Sequence, residues 1–137
     1  MQAVLYPEGG SWGESPVVMY CQVIGRDATR NRQGIIGADI ESHRGSAPTA
    51  VVSEQKEIPV TKGSAAMVRR YAGGARGTIE ETAYLEERTV IVLFILTSRD
   101  REGFERSLAS FAKLVSSYSF LADDAENIQR AIEAVEP

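Results

Sequence analysis

Cysteine and histidine are almost missing from this sequence: Cys21 and His43 are the only ones in 137 residues. A single cysteine excludes an intrachain disulfide, and the two together cannot build a His/Cys metal cluster. Long apolar runs are missing as well. The longest, Val90 to Leu96, is seven residues, far short of the roughly 20 that a membrane helix needs, so membrane insertion is not expected. There is no basic excess: 15 Lys and Arg against 19 Asp and Glu give a net charge of −4. That balance argues against nucleic-acid binding carried by bulk charge. Nor does a positive segment, apolar stretch and small-residue cleavage site follow Met1, because the chain runs straight into Ala3-Val4-Leu5-Tyr6-Pro7.

What is present is the composition of a soluble globular protein, 43% hydrophobic and 25% charged. The length fits one core, so residues 1–137 read as a single domain without internal repeat or linker. Charge is unevenly spread. Residues 1 to 76 hold nine basic and seven acidic side chains, and residues 77 to 137 hold six and twelve. Twelve of the fifteen basic residues are Arg, which favours fixed, forked contacts over a diffuse field.

Periodicity divides the chain into strands and helices. Ala3 to Tyr6 reads as a short strand closed by the Pro- and Gly-rich loop Pro7 to Gly13. Val17 to Ile24, rich in β-branched and aromatic residues, reads as a second strand that holds Cys21 as a small packed residue. Residues 31 to 44 read as a helix capped by Asn31, with Ile36, Ile40 and His43 on one face and Gly45 and Pro48 at its end. Four strands in meander order follow. Ala50 to Ile58 comes first. In Ala65 to Ala72, residues Ala66, Val68 and Ala72 share one face and Met67, Arg69 and Tyr71 the other. In Thr78 to Glu86, residues Ile79, Ala83 and Leu85 share a face interrupted by Glu81, opposite Glu80, Thr82, Tyr84 and Glu86. Val90 to Leu96 is apolar on both faces, as a strand covered from both sides must be. A helix from Arg101 to about Ser117, capped by Asp100, carries the stripe Phe104, Leu108, Phe111, Leu114, Val115 and Tyr118. Asp123 to Val135, with Ile128, Ile132 and Val135 at helical spacing, reads as a short helical extension over 123–137.

Candidate chemistry is sparse. Gly73 to Gly77 is glycine-rich, but a strand follows it instead of the helix N-terminus that a phosphate loop requires, so a hairpin turn is expected. Ser98-Arg99-Asp100 lies where a strand meets a helix but lacks the glycines of a nucleophile elbow, and reads as a helix start. Glu80 and Glu86 flank Tyr84 on one face and read as a solvated sheet edge. Trp12, Tyr71 and Tyr84 fit a groove lining or a core and rim role. Arg69, Tyr71 and Arg76, on or beside the hairpin Ala65 to Glu86, combine the residue types that binding surfaces favour. With Tyr84 and Trp12 they form the candidate binding surface, directed at an acidic protein surface or a small anion.

The order strand, strand, helix, meander, long amphipathic helix resembles the PsbP/Mog-type superfamily, and uncharacterised bacterial members most closely. "AVLYPEGGSWGESPVVMYCQV" (Ala3 to Val23), "KGSAAMVRRY" (Lys62 to Tyr71) and "TAYLEERTVIVLFILTSRDREGFERSLASFAKLVSSYSF" (Thr82 to Phe120) carry the likeness. The resemblance implies an α+β fold, an antiparallel meander sheet sandwiched by helices on both faces. It implies a non-enzymatic protein-binding or assembly module and transfers no functional residue. Members usually begin earlier, often after an export signal. The resemblance therefore implies an exported or periplasmic setting, with a cytoplasmic one left open, a Met1 internal to the natural chain, and an N-terminal edge element before it.

The expectation is thus an accessory domain with no catalytic residue, no metal and no cofactor, whose partner is another protein. A small-ligand or anion carrier using the aromatic sheet face is the alternative, and a homodimer is left open. A hydrolase built on Ser98 or Cys21 is a third reading, which turnover of a generic ester, phosphate or peptide would reveal.

Overall fold

A computed structural model describes residues 2–5, 17–60, 65–74 and 77–118. Within them the chain forms β1 (Gln2–Leu5), β2 (Val17–Gly25), α1 (Arg32–Ser46), β3 (Val51–Ile58), β4 (Ala66–Ala72), β5 (Ile79–Glu86), β6 (Val90–Ser98) and α2 (Arg101–Ser116). The strands make one sheet in the order β1-β2-β6-β5-β4-β3, with every neighbouring pair antiparallel. β3 to β6 are the expected meander, and β2 joins it on the free side of β6. α1 covers one face and α2 the other, so the fold is α+β with helices on both sides of an antiparallel sheet. The Asp123–Val135 extension and the tip of the Gly73–Gly77 turn lie outside the described residues. No helix among the described residues is long and apolar enough to cross a membrane.

β6 holds the layers together because its side chains serve both. Ile91, Leu93 and Ile95 pack with Ile36 and Tyr84 under α1, while Val92, Phe94 and Leu96 pack with Phe104, Phe111 and Val115 under α2. Strand alternation requires this split, since successive side chains leave opposite faces.

α2 is seated by apolar area. Phe104, Phe111 and Val115 are buried, Leu108, Leu114 and Tyr118 pack at the margin of the same cluster, and Tyr118 meets Phe94 edge-on at 5.7 Å. Its first turn is fixed as expected: Asp100 Oδ2 accepts from the Gly103 N–H at 3.0 Å, and Ser98 Oγ accepts from the Asp100 N–H at 3.0 Å. Gly103 lets the helix approach β2, for a β-carbon there would stand 2.8 Å from Val17 Cγ2. Glu81, the interruption in β5, lies on this face and is buried. Arg70, opposite it in register, pairs with it at 2.7 Å and lies over the Phe104 ring.

α1 is seated differently. Ile36 is its one buried residue, against four on α2. Asn31 caps it as expected, accepting from the Gly34 N–H at 2.9 Å. The helix continues through Gly45 to Ser46, so Pro48 ends it and Gly45 does not: the residue before a proline is driven out of helical geometry, and Ala47 is extended (φ −155, ψ 127). At the end of β4, Gly73 has φ +72, a conformation other residues rarely adopt. A β-carbon there would collide with the Thr49 carbonyl. The Thr49 hydroxyl donates to Gly73 O at 2.8 Å, tying the α1–β3 turn to the end of β4.

Replacing Phe111, 1% exposed at the centre of the α2 face, with Ala should destabilise the domain by about 3–5 kcal/mol. Chemical denaturation of both proteins checks this, and an unchanged midpoint would contradict the packing of α2 on the sheet.

Candidate functional site

The residues with the most chemistry meet beneath α1. Alternation along β4 and β5 turns Arg69, Tyr71, Glu80, Thr82, Tyr84 and Glu86 toward that helix. Tyr71 pairs with Glu80, Arg69 with Thr82 and Met67 with Tyr84. The two phenols converge, their oxygens 2.6 Å apart. Tyr84 donates its proton to Asp39 Oδ2 on α1 at 2.7 Å. A phenol has one proton to give, so Tyr71 must be the donor to Tyr84. One turn after Asp39, the His43 ring stacks on Tyr71 with centroids 4.1 Å apart, and its Nε2 lies 3.4 Å from Glu80 Oε2. Thr82 Oγ1 donates to the same Glu80 oxygen at 2.8 Å.

This arrangement holds the phenols neutral. Burial pushes the Tyr71 phenol up to about 12, with the Asp39 and Glu80 charges adding to the rise. Tyr84 is raised much further, by burial first, then by its bonds to Tyr71 and Asp39 and by the Asp39 charge. Burial and the same two carboxylates raise Tyr20. A general base or nucleophile works with a proton affinity near the ambient pH, and these groups are displaced from it. The two phenols therefore serve as directed hydrogen bonds that fasten α1.

A second fastening holds the start of α1. Glu86 Oε2 accepts from the Arg32 N–H at 2.7 Å, and the Arg32 guanidinium donates to the carbonyls of Ala65 and Tyr84 at 3.3 and 3.4 Å. Arg26 lies 3.6 Å from Glu86 and donates to Glu87 O at 3.1 Å. Glu80 and Glu86 are thus not a solvated sheet edge. β5 is interior to the sheet, and both carboxylates are engaged with the α1 layer.

The expected binding surface is changed by this geometry. Tyr71 and Tyr84 are 2% and 0% exposed, because α1 closes the face they share, so they present no aromatic surface to a partner. Arg69 is engaged within the sheet: Nη2 lies 3.0 Å from Glu54 and Nη1 donates to Val68 O at 3.0 Å. Trp12 and Arg76 lie outside the described residues. Ser98 is buried and bonded to Asp100, on the α2 face, with the sheet between it and His43. Burial pushes the Cys21 thiol up, which disfavours the thiolate a nucleophile needs. Nothing in the sequence marks Asp39, for no local spacing pairs it with a tyrosine 45 residues away.

The α2 side offers an open cleft of about 420 Å³ between that helix and β2, lined by Met19, Ser110, Lys113, Leu114 and Ser117. Its lining is mainly apolar, with Lys113 exposed beside it. Cys21 and Val23 continue the half-buried apolar row along β2. Among the described residues no group of three His, Cys, Asp or Glu side chains is placed to hold a metal ion.

No family model matches the chain, and no curated protein matches it. Among solved structures, the chain is similar to PA94 from Pseudomonas aeruginosa, a protein of unknown function described as a candidate regulator. The TM-score is 0.53 at 11% identity, covering 100% of this chain and 83% of that one. At that identity the likeness is one of fold.

The phenol network sets an alkaline limit. Tyr71 contributes its full stability below about 10, where a free phenol ionises, and loses it as pH rises through about 12. Across that window the unfolded chain releases a proton that the native state retains, so stability falls with rising pH. Ultraviolet titration of tyrosinate should show Tyr71 and Tyr84 ionising only together with loss of the native circular dichroism. Complete ionisation near pH 10 in a protein that keeps its native spectrum would contradict the network.

Proposed function

We propose that this domain is a non-enzymatic protein-binding module, an assembly accessory that engages its partner at the cleft between α2 and β2. The observation that carries the reading is the cleft itself. It combines an apolar floor at Met19 and Leu114, hydroxyls at Ser110 and Ser117 and one cation, Lys113. An apolar centre with a polar rim is the anatomy of a protein interface, and the lysine selects a partner segment that places a carboxylate beside its apolar side chains. The likeness of element order to the PsbP/Mog-type superfamily supports an accessory role and belongs to the same proposal.

A small-ligand carrier is the second reading, favoured by the cleft volume, which lies within the usual range for ligand sites. Its openness argues against it, because a carrier encloses most of its cargo. The aromatic face first expected to serve a carrier is covered by α1.

Photo-crosslinking tests the proposal. A photoreactive residue at Ser110 or Ser117 should couple to a protein in the native cell, and one at Glu41, exposed on α1 across the sheet, should not. Leu114→Asp and Lys113→Glu should each weaken binding of that purified protein while the fold is retained. Full affinity in both variants, crosslinks confined to other surfaces, or a copurifying small molecule in place of a protein would contradict the reading.

A further inference from the structure

The two edges of the sheet are not equivalent. β1 is four residues long, whereas β3 is eight and, among the described residues, pairs on one side only, with β4. A free edge exposes unpaired backbone donors and acceptors, and proteins commonly blunt it with charge, bulges or proline. β3 is blunted toward its C-terminal end. Its register shifts between Gln55 and Ile58, where Lys56 and Glu57 are exposed, and Pro59 follows. Val51 to Gln55 runs in unbroken register against Ala72 to Val68, and its first three residues carry no charge. Val51 is 60% exposed, the exposed large apolar side chain among the described residues.

We propose that Val51–Gln55 is a self-pairing edge, on which a second copy of this chain adds its own β3 antiparallel about a two-fold axis at Ser53. The charge pattern selects that occupant and that register. With Ser53 opposite Ser53 of the second copy, Val51 falls opposite Gln55 and Val52 opposite Glu54, while Lys56 falls opposite the uncharged Ala50. No like charges are directly opposed, and Glu54 keeps its own Arg69 partner at 3.0 Å. Moving the axis to Glu54 would set two carboxylates face to face, which is unfavourable in a strand pair. Moving it to Val52 sets Glu54 and Gln55 opposite Ala50 and Thr49, which precede the strand, and so shortens the paired segment. Only residues with the same facing can stand opposite one another, so intermediate registers are excluded when the axis is perpendicular to the sheet. The two sheets then become one. The clefts beside β2 lie at the far sides of the assembly, where both stay open.

Sedimentation velocity on the full chain over a wide concentration range tests this, with a Cys21→Ala background for crosslinking. The expected result is a reversible dimer that Ser53→Lys weakens roughly fivefold or more by opposing two ammonium groups. In the Cys21→Ala background, Ser53→Cys should form an intermolecular disulfide under mild oxidation. Gln55→Cys should not, because its copies lie several residues apart along the strands. The crosslink is read on folded protein, so a variant that merely unfolds does not imitate the result. A monomer at every concentration would overturn the proposal. So would a dimer that is indifferent to Ser53→Lys and forms no disulfide through Ser53→Cys. A monomer whose β3 amides become protected only on adding an extended peptide would assign the edge to a foreign strand and equally overturn self-pairing.

Discussion

The hydroxyl of Tyr84 joins the helix layer to the sheet on one side of this protein. It accepts from Tyr71, donates to Asp39, and sits at 0% exposure in the cluster formed with Ile36, Ile91, Leu93 and Ile95. A buried hydroxyl is costly unless its hydrogen bonds are made, and here the partner on α1 makes one of them. α1 brings one fully buried apolar side chain, Ile36, with Ile35 and Ile40 half-buried beside it, so its position depends on such directed bonds more than that of α2. The two faces of one sheet are therefore covered by different physics. Apolar area seats α2, while α1 adds phenol, carboxylate, imidazole and guanidinium contacts to a smaller apolar seat.

That difference explains what could be read in the sequence. Apolar recurrence at helical spacing marked α2 through Phe104, Leu108, Phe111 and Val115, and the unbroken apolar run marked β6 as covered on both sides. Alternation assigned Arg69, Tyr71 and Tyr84 to their correct face, and Asn31 and Asp100 proved to be the caps. Missing was any sign that α1 lies over the tyrosines, because the contacts that place it link polar residues distant in the chain: Asp39 with Tyr84, His43 with Glu80, Arg32 with Glu86. Periodicity records the burial of apolar side chains and is silent on polar pairs of this kind. Tyr71 and Tyr84 thus looked like a surface when they are the fastening beneath a helix. The reading of Glu80 and Glu86 as a sheet edge was inconsistent with the meander itself, which already places β5 between β4 and β6.

With both faces covered, the two proposed contacts fall at the margins of the sandwich. The proposed partner cleft lies at the β2 side and the proposed self-pairing edge at β3, on opposite sides of the sheet. Neither draws on the groups that hold α1, so binding at one margin leaves the fastening intact.

The central claim, that the Tyr84 hydroxyl holds α1 in place, is tested most directly by amide hydrogen exchange on the native protein and Tyr84→Phe. The substitution keeps the ring and removes only the hydroxyl. Losing a bond to a carboxylate should speed exchange across Arg32–Ser46 roughly tenfold or more, with α2 amides changing much less. Equal protection of α1 in the two proteins, or an equal loss in α1 and α2, would contradict the account.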